Sequence, residues 1–252
     1  MLLRRAVLLA VAWSAGVCFG GLAFADDPAA GKQVAQSLEV KAAGDDAEAK
    51  TTLHYWLFLP SEYGAKAEQK WPLMLFLHGA GERGDDLSVV KKHGPPKNVE
   101  TKSDFPFVVI SPQCPSGKRW QPSELIQILD HAEKTLAIDK QREYCTGLSM
   151  GGFGTWALTA AYPDRFAAAV PICGGGNVAD AEKLKSLPLW VFHGAKDTAV
   201  KIEKSQEMVD AIKKAGGDPK FTIYPEAGHD SWTESYNNPA LYEWLLKQAK
   251  TK

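Results

Sequence analysis

Arg142-Glu143-Tyr144-Cys145-Thr146-Gly147-Leu148-Ser149-Met150-Gly151-Gly152-Phe153, continued by Gly154-Thr155-Trp156-Ala157-Leu158-Thr159-Ala160-Ala161, is the stretch that decides the fold. Residues 142–146 have the β-branched and aromatic make-up of a short buried strand, and residues 153–161 hold a long apolar run with the length of a helix. Between them stands Gly147-x-Ser149-x-Gly151. Glycines two before and two after a serine permit the sharp strand-to-helix turn that lifts a hydroxyl clear of the strand end. With 22 glycines in the chain the pattern is weak alone, so the strand before it and the helix after it carry the reading.

Working outward, the same alternation of short apolar run and amphipathic stretch recurs on both sides. Leu53 to Leu59, Leu73 to Leu77, Phe107 to Ile110, Glu143 to Thr146, Ala167 to Ile172, Leu189 to Phe192 and Phe221 to Tyr224 read as strands. Helices are expected from a Ser123 cap to Leu136, from Gly151 to Tyr162, from Ile202 to Ala215 and from Pro239 to Ala249. Strand then helix, repeated, specifies an α/β class with a mostly parallel central sheet and helices on both faces. The connection between Ile172 and Leu189 is too short to hold a cap domain.

A serine hydroxyl needs a general base, and the base needs a carboxylate to orient it. In open α/β sheets reactive groups lie beyond the carboxyl ends of the strands. Asp197 follows the Leu189 strand and His229 follows the Phe221 strand, both downstream of Ser149. His54, His93 and His131 fail on position, and His78 and His193 are placed as imidazoles that bond loop backbone at strand ends. Asp180 precedes its strand, Asp164 sits in a helix-end corner, and Glu226 is too close in sequence to His229. The backbone N–H of Met150, at the start of the helix after Ser149, and that of Ala80, after the tight Gly79 turn, are the expected donors to a developing oxyanion. Trp120 and Trp232 are placed at one mouth as substrate-binding aromatics, with an ordinary packing role as the alternative for each.

The ends of the chain carry a different message. Arg4 and Arg5 precede an apolar run from Ala6 to Trp13 and small residues leading to Ala23-Phe24-Ala25, the layout of a signal peptide cleaved after Ala25. A membrane anchor is disfavoured by Ser14, Gly16, Gly20 and Gly21 within that segment. Lipid attachment at Cys18 is disfavoured by the bulky Val17, and the paired arginines leave a twin-arginine address open. The expected division is therefore a leader over 1–25, a loose lead-in over 26–50 with one edge strand near Leu38 to Lys41, and a catalytic domain over 51–252. The expected destination is secreted or periplasmic.

With 252 residues, 45% of them hydrophobic, the chain has the size of one ordinary domain. Its 29 basic and 30 acidic residues leave a net charge of -1, which offers nothing to nucleic acid. Removal of residues 1–25 leaves Cys114, Cys145 and Cys173, without the spacing of a zinc site; a disulfide between two of them stays open. No metal or cofactor is expected.

The chain resembles the secreted esterases of the α/β-hydrolase superfamily that include feruloyl esterases, polyhydroxybutyrate-depolymerase-like proteins and a group of predicted peptidases. The marks are Leu77-His78-Gly79-Ala80-Gly81-Glu82-Arg83-Gly84, His93-Gly94-Pro95, Ser111-Pro112-Gln113, Gly147 to Gly152 and Gly228-His229-Asp230-Ser231-Trp232. The resemblance runs from Leu53 to Leu246 and implies an α/β-hydrolase fold with Ser149, Asp197 and His229 as its triad. The activity it implies is a carboxylic-ester hydrolase for short or aromatic acyl esters, small or polysaccharide-linked, with peptide-bond cleavage as the alternative and a non-catalytic binding role behind both.

Overall fold

The computed structural model describes residues 29–44, 46 and 48–250. The leader expected over 1–25 lies outside them, and no helix among the described residues is long and apolar enough to cross a membrane. Eight strands form one sheet: β1 (Gln33–Lys41), β2 (Lys50–Phe58), β3 (Trp71–Leu77), β4 (Val108–Pro112), β5 (Ile138–Leu148), β6 (Ala168–Ile172), β7 (Trp190–Gly194) and β8 (Lys220–Tyr224). Their order is β1-β2-β4-β3-β5-β6-β7-β8. β2 runs antiparallel to both β1 and β4, and the remaining neighbours are parallel.

Parallel strands buried on both sides need apolar residues at every position, and all seven residues of β3 are buried. Their alternation sorts the core into two layers. Leu73, Leu75 and Leu77 pack with α2 (Pro122–Thr135), α3 (Met150–Ala161) and α5 (Glu203–Lys214) on one face. Met74 and Phe76 pack on the other with α6 (Trp232–Asn237), α7 (Pro239–Leu246) and Val99, just past α1 (Gly94–Asn98). This is the α/β-hydrolase arrangement. Between β6 and β7 the chain makes only a short turn at Val178–Asp180 and the four-residue α4 (Ala181–Leu184).

Several boundaries differ from the sequence reading. β1 begins at Gln33, five residues before Leu38, and pairs with β2 along its whole length. Gln36, a polar residue buried on its inner face, interrupts the apolar alternation that would have revealed it. α2 starts at Pro122 with Gln121 in extended geometry as its cap, so Ser123 is not the cap. Proline suits the first helical position because its φ is preset and its missing N–H would have had no partner there. α7 ends at Leu246, after which the Lys250 amide donates to Gln141 O within β5. Cys114, Cys145 and Cys173 are all buried and free, so the open question of a disulfide is answered against one in this structure.

Candidate active site

Leu148 ends β5 and Met150 begins α3, leaving Ser149 alone between them at φ 51, ψ -116. Positive φ costs a non-glycine residue of order 1–3 kcal/mol unless its surroundings enforce it. Enforcement here comes from close backbone approach. The Ser149 amide donates to Ile172 O at 3.0 Å and its carbonyl accepts from the Phe153 amide at 3.0 Å. A Cβ at Gly147 would lie 2.4 Å from Gly151 O, so only glycine lets the turn close this tightly.

Asp197 and His229 arrive from the ends of β7 and β8, whose loops are stitched together. The Ala195 amide donates to Tyr224 O, and the Lys196 amide donates to Ala227 O. His229 Nδ1 lies 2.7 Å from Asp197 Oδ2, and its Nε2 lies 2.9 Å from Ser149 Oγ. Because a carboxylate only accepts, Nδ1 carries the proton and Nε2 offers its lone pair to the serine hydroxyl. The three groups are thus in line for a proton to pass from Ser149 to His229.

Asp197 Oδ1 accepts the amides of Ala199 and Val200, each at 2.9 Å, and Oδ2 has a second imidazole, His193 Nε2, at 3.2 Å. Burial works to raise the Asp197 carboxyl. The hydrogen bond from His229, with the Val200 and Ala199 amides, outweighs burial and holds it below the ordinary carboxylate value.

The other carboxylates weighed from sequence lie elsewhere. Asp180 pairs with Lys183, Glu226 is exposed and pairs with Lys196, and Asp164 borders a groove at the opposite end of the sheet with Ala249 and Lys250.

Ala80 opens a one-turn helix, Ala80–Glu82, directly after Gly79, and Met150 opens α3. First-turn amides have no acceptor within their own helix, so both N–H groups are available to a ligand. A side chain on Gly79 would place its Cβ 3.6 Å from Ser149 Cβ, which brings the Ala80 turn against the serine. His78 anchors that turn: its Nδ1 bonds Gly79 O at 2.6 Å, and the Cys114 amide donates to its Nε2 at 3.0 Å. An imidazole that donates at one nitrogen and accepts at the other is neutral. Burial first, with the Arg83 charge adding to it against the Gly79 bond, lowers His78 to about 4.

The two tryptophans separate. Trp232 edges against His229 with ring centroids 5.3 Å apart and against His93 at 5.5 Å. Trp120 does not join it. Its ring is buried against His78, its indole N–H donates to His78 O at 3.1 Å, and it belongs to the core layer on the other face of the sheet. The shared mouth expected for both is therefore corrected: the loop after β4 turns Trp120 inward, where the backbone carbonyl satisfies its N–H.

Sequence reasoning gave no part in the site to three of its neighbours, Glu82, Cys173 and His93, the last weighed as a base and set aside on position. His93 Nε2 lies 3.8 Å from Glu82 Oε1, and both stood within the motifs that carried the family resemblance. Cys173, at the end of β6, has φ 41 and is wholly buried. Among the described residues, Cys173, Asp197 and His229 are the group whose donor atoms come within 4.8 Å of one another. It makes a poor metal site, because Asp197 and His229 are committed to each other and burial pushes the Cys173 thiol up to about 12, leaving it protonated.

Against this geometry the comparisons with known proteins are consistent. The sequence model of the Dienelactone hydrolase family matches residues 117–244. Poly(3-hydroxyalkanoate) depolymerase C of Paucimonas lemoignei is 36% identical over 86 residues, 27% of this chain and 21% of that protein. The bifunctional acetylxylan esterase/xylanase XynS20E of Neocallimastix patriciarum is 29% identical over 184 residues, 69% of this chain and 26% of that protein. The chain thus spans only about a quarter or less of these two curated relatives. Among solved structures, a thermostable esterase matches with a TM-score of 0.69 at 34% identity over 85% of this chain and 63% of its own.

Proposed function

The chain belongs to the dienelactone hydrolase family, and from that premise we propose that it is an exported serine esterase working through an acyl-enzyme on Ser149. The observation that carries the proposal is the unbroken hydrogen-bonded line Asp197–His229–Ser149. In this reading His229 Nε2 takes the Ser149 proton as Oγ attacks the ester carbonyl, and Asp197 stabilises the imidazolium that forms. The amides of Met150 and Ala80 receive the oxyanion. His229 then returns the proton to the leaving alcohol and activates the water that releases the acid.

The substrate class we propose is short or aromatic acyl esters, including those carried on polysaccharides. Three features support it. The β6–β7 connection is short, Trp232 borders His229, and relatives named for acetylxylan and polyester cleavage match parts of the chain. Export rests on the charged, apolar and small-residue sequence of positions 4–25.

The experiment is a panel of methyl ferulate, acetylated xylan, tributyrin, olive oil and a chromogenic peptide, run on the wild type and on Ser149→Ala, with fluorophosphonate labelling alongside. Ester turnover and a label on Ser149, both lost in Ser149→Ala, are expected. Peptide turnover without ester turnover, or a label on another serine, would overturn the reading.

A further inference from the structure

Glu82 is the third residue of the one-turn helix that opens at Ala80, and residues three apart eclipse in a helix of that pitch, so its side chain stands over Gly79. A Cβ on Gly79 would lie 3.2 Å from Glu82 Oε2 and 3.6 Å from Ser149 Cβ. A single carbon atom there would touch both the carboxylate and the serine. The other oxygen, Oε1, faces His93 Nε2 at 3.8 Å, and the His93 ring leads through Trp232 to His229. Glu82 thus belongs to a wall that runs from the Ala80 turn round to His229.

Its main chain is fixed, because Gln113 Nε2 donates to Glu82 O at 3.0 Å and to Asp86 O at 2.8 Å. The nearest cation in sequence is occupied elsewhere: Arg83 Nε donates to Ala80 O at 3.1 Å and its Nη1 to Lys118 O at 3.2 Å. Among the described residues no hydrogen-bond donor meets either carboxylate oxygen, and His93 at 3.8 Å is too far to be one. The Glu82 side chain is only 10% exposed. Solvent reaches that remaining tenth. A ligand that covers it without bringing a donor strips the carboxylate of its last hydration uncompensated, whereas one that brings a donor replaces the lost bond.

The donor that fits is a hydroxyl. One oxygen can stand within hydrogen-bond distance of both Glu82 Oε1 and His93 Nε2, since 3.8 Å is shorter than two such bonds end to end. With a carboxylate opposite, the ring nitrogen presents N–H rather than a lone pair. A hydroxyl then donates to Glu82 and accepts from His93, whereas an ammonium has only protons to offer.

We propose that Glu82, assisted by His93, is a specificity-determining residue that binds a hydroxyl carried by the ester a few bonds from its scissile carbonyl. The inference rests on the serine-esterase reading above and narrows its substrates to hydroxylated esters. The hydroxyl can belong to the acyl group or to the leaving alcohol; Glu82 reads the same chemistry in both, and the test separates them.

The test compares esters that differ by hydroxyl groups alone. Ethyl 3-hydroxybutyrate against ethyl butyrate reads the acyl side, and glycerol monoacetate against propyl acetate reads the alcohol side. In the wild type, kcat/KM for the hydroxylated member of at least one pair should be higher by about tenfold or more, because only that ester pairs the carboxylate it covers. In Glu82→Leu, which has no acceptor, the ratio should fall to near unity. Disturbance of the Ala80 turn slows both members of a pair alike and leaves the ratio intact, so a merely structural role does not imitate this result. Glu82→Gln, which keeps the shape and one accepting oxygen, should hold an intermediate ratio and serves if the leucine variant does not fold. Equal rates within both pairs, or a ratio that survives undiminished in the variants, would overturn the subsite and leave the esterase reading in place. No turnover of any of the four esters would overturn both. Preference for ethyl 3-aminobutyrate over ethyl 3-hydroxybutyrate would assign the carboxylate to an ammonium and sink the hydroxyl.

Discussion

Gly151 lies directly beneath the carbonyl of Leu77, so close that a Cβ on residue 151 would sit 1.8 Å from that oxygen. β3 and the first turn of α3 touch through backbone alone at this point, and that contact fixes the height of Ser149 above the sheet. Gly151→Ala is expected to destabilise the protein by at least about 3 kcal/mol, because neither backbone can yield without breaking the strand or the helix. Gly81→Ala, where a Cβ meets nothing within 4 Å, should leave stability nearly unchanged. Thermal unfolding of the two variants beside the wild type checks this.

Asp197→Asn is expected to keep the fold and lower kcat by about 10⁴, since an amide opposite His229 Nδ1 favours the wrong tautomer and removes the countercharge. Glu226→Gln, an exposed residue paired with Lys196, should leave kcat where it is. The opposite pattern in steady-state kinetics would reassign the acid.

The imidazole of His78 makes a separate prediction about acid. Its folded value of about 4 lies below the ordinary 6.5, so between these two pH values the unfolded chain binds a proton that the folded one does not. Stability therefore falls as pH drops through this window, by up to about 1.4 kcal/mol per unit from this group. His78→Ala should lose that component of the slope. It should also lower kcat by about 10² or more, because the Ala80 amide loses its anchor. Urea unfolding from pH 4 to pH 7, with ester kinetics at pH 8, reads both effects.

Glu143 acts in the reverse sense. Burial first, then the neighbouring Glu133 carboxyl, push it up to about 8 against the pull of Arg165, whose Nε donates to it at 2.8 Å. From pH 4.5 to pH 8 the folded chain holds the extra proton, so stability declines with rising pH by up to about 1.4 kcal/mol per unit. Glu143→Gln, neutral throughout, should flatten that decline and be the more stable protein at pH 8. Denaturant titrations at four pH values separate the two slopes.

Trp120→Ala and Trp232→Ala should behave as different kinds of mutation. Trp120 is a core residue hydrogen-bonded to His78 O, and its truncation is expected to cost about 3–5 kcal/mol. Trp232→Ala should cost less stability and act chiefly on kcat/KM for aromatic acyl esters, since its ring rests on His229. Comparison of Tm with the ferulate-to-acetate rate ratio distinguishes the two.

The parallel part of the sheet was legible because β3, β4, β6 and β7 are short apolar runs bounded by turn residues, a local signal, whereas β5 was legible only over Glu143 to Thr146 because its first half, Asp139 to Arg142, is polar. The turn around Ser149 was legible for the same reason: its two glycines and its flanking elements are contiguous. What the sequence concealed depends on contacts between distant segments. β1 is stabilised by pairing with β2 rather than by its own pattern, since its inner face carries Gln36. Trp120 follows a strand end just as Trp232 follows His229, and only the direction of the intervening loop separates a packed indole from one at the site. His193 looked like an imidazole bonded to loop backbone, and it does bond Val200 O. Its approach to Asp197 comes from a loop that folds back on its own strand, a geometry that residue spacing does not encode.

Chain order has one last consequence. The three residues of the hydrogen-bonded line enter at 149, 197 and 229, so His229 is the last to be made and is separated from the serine by 80 positions. On a ribosome the strand-and-turn unit bearing Ser149 is complete well before β8 exists. In the proposed serine-esterase reading, the nascent protein carries its serine in an unactivated form until His229 has been synthesised and β8 has joined the sheet, and reactivity becomes a late reporter of folding.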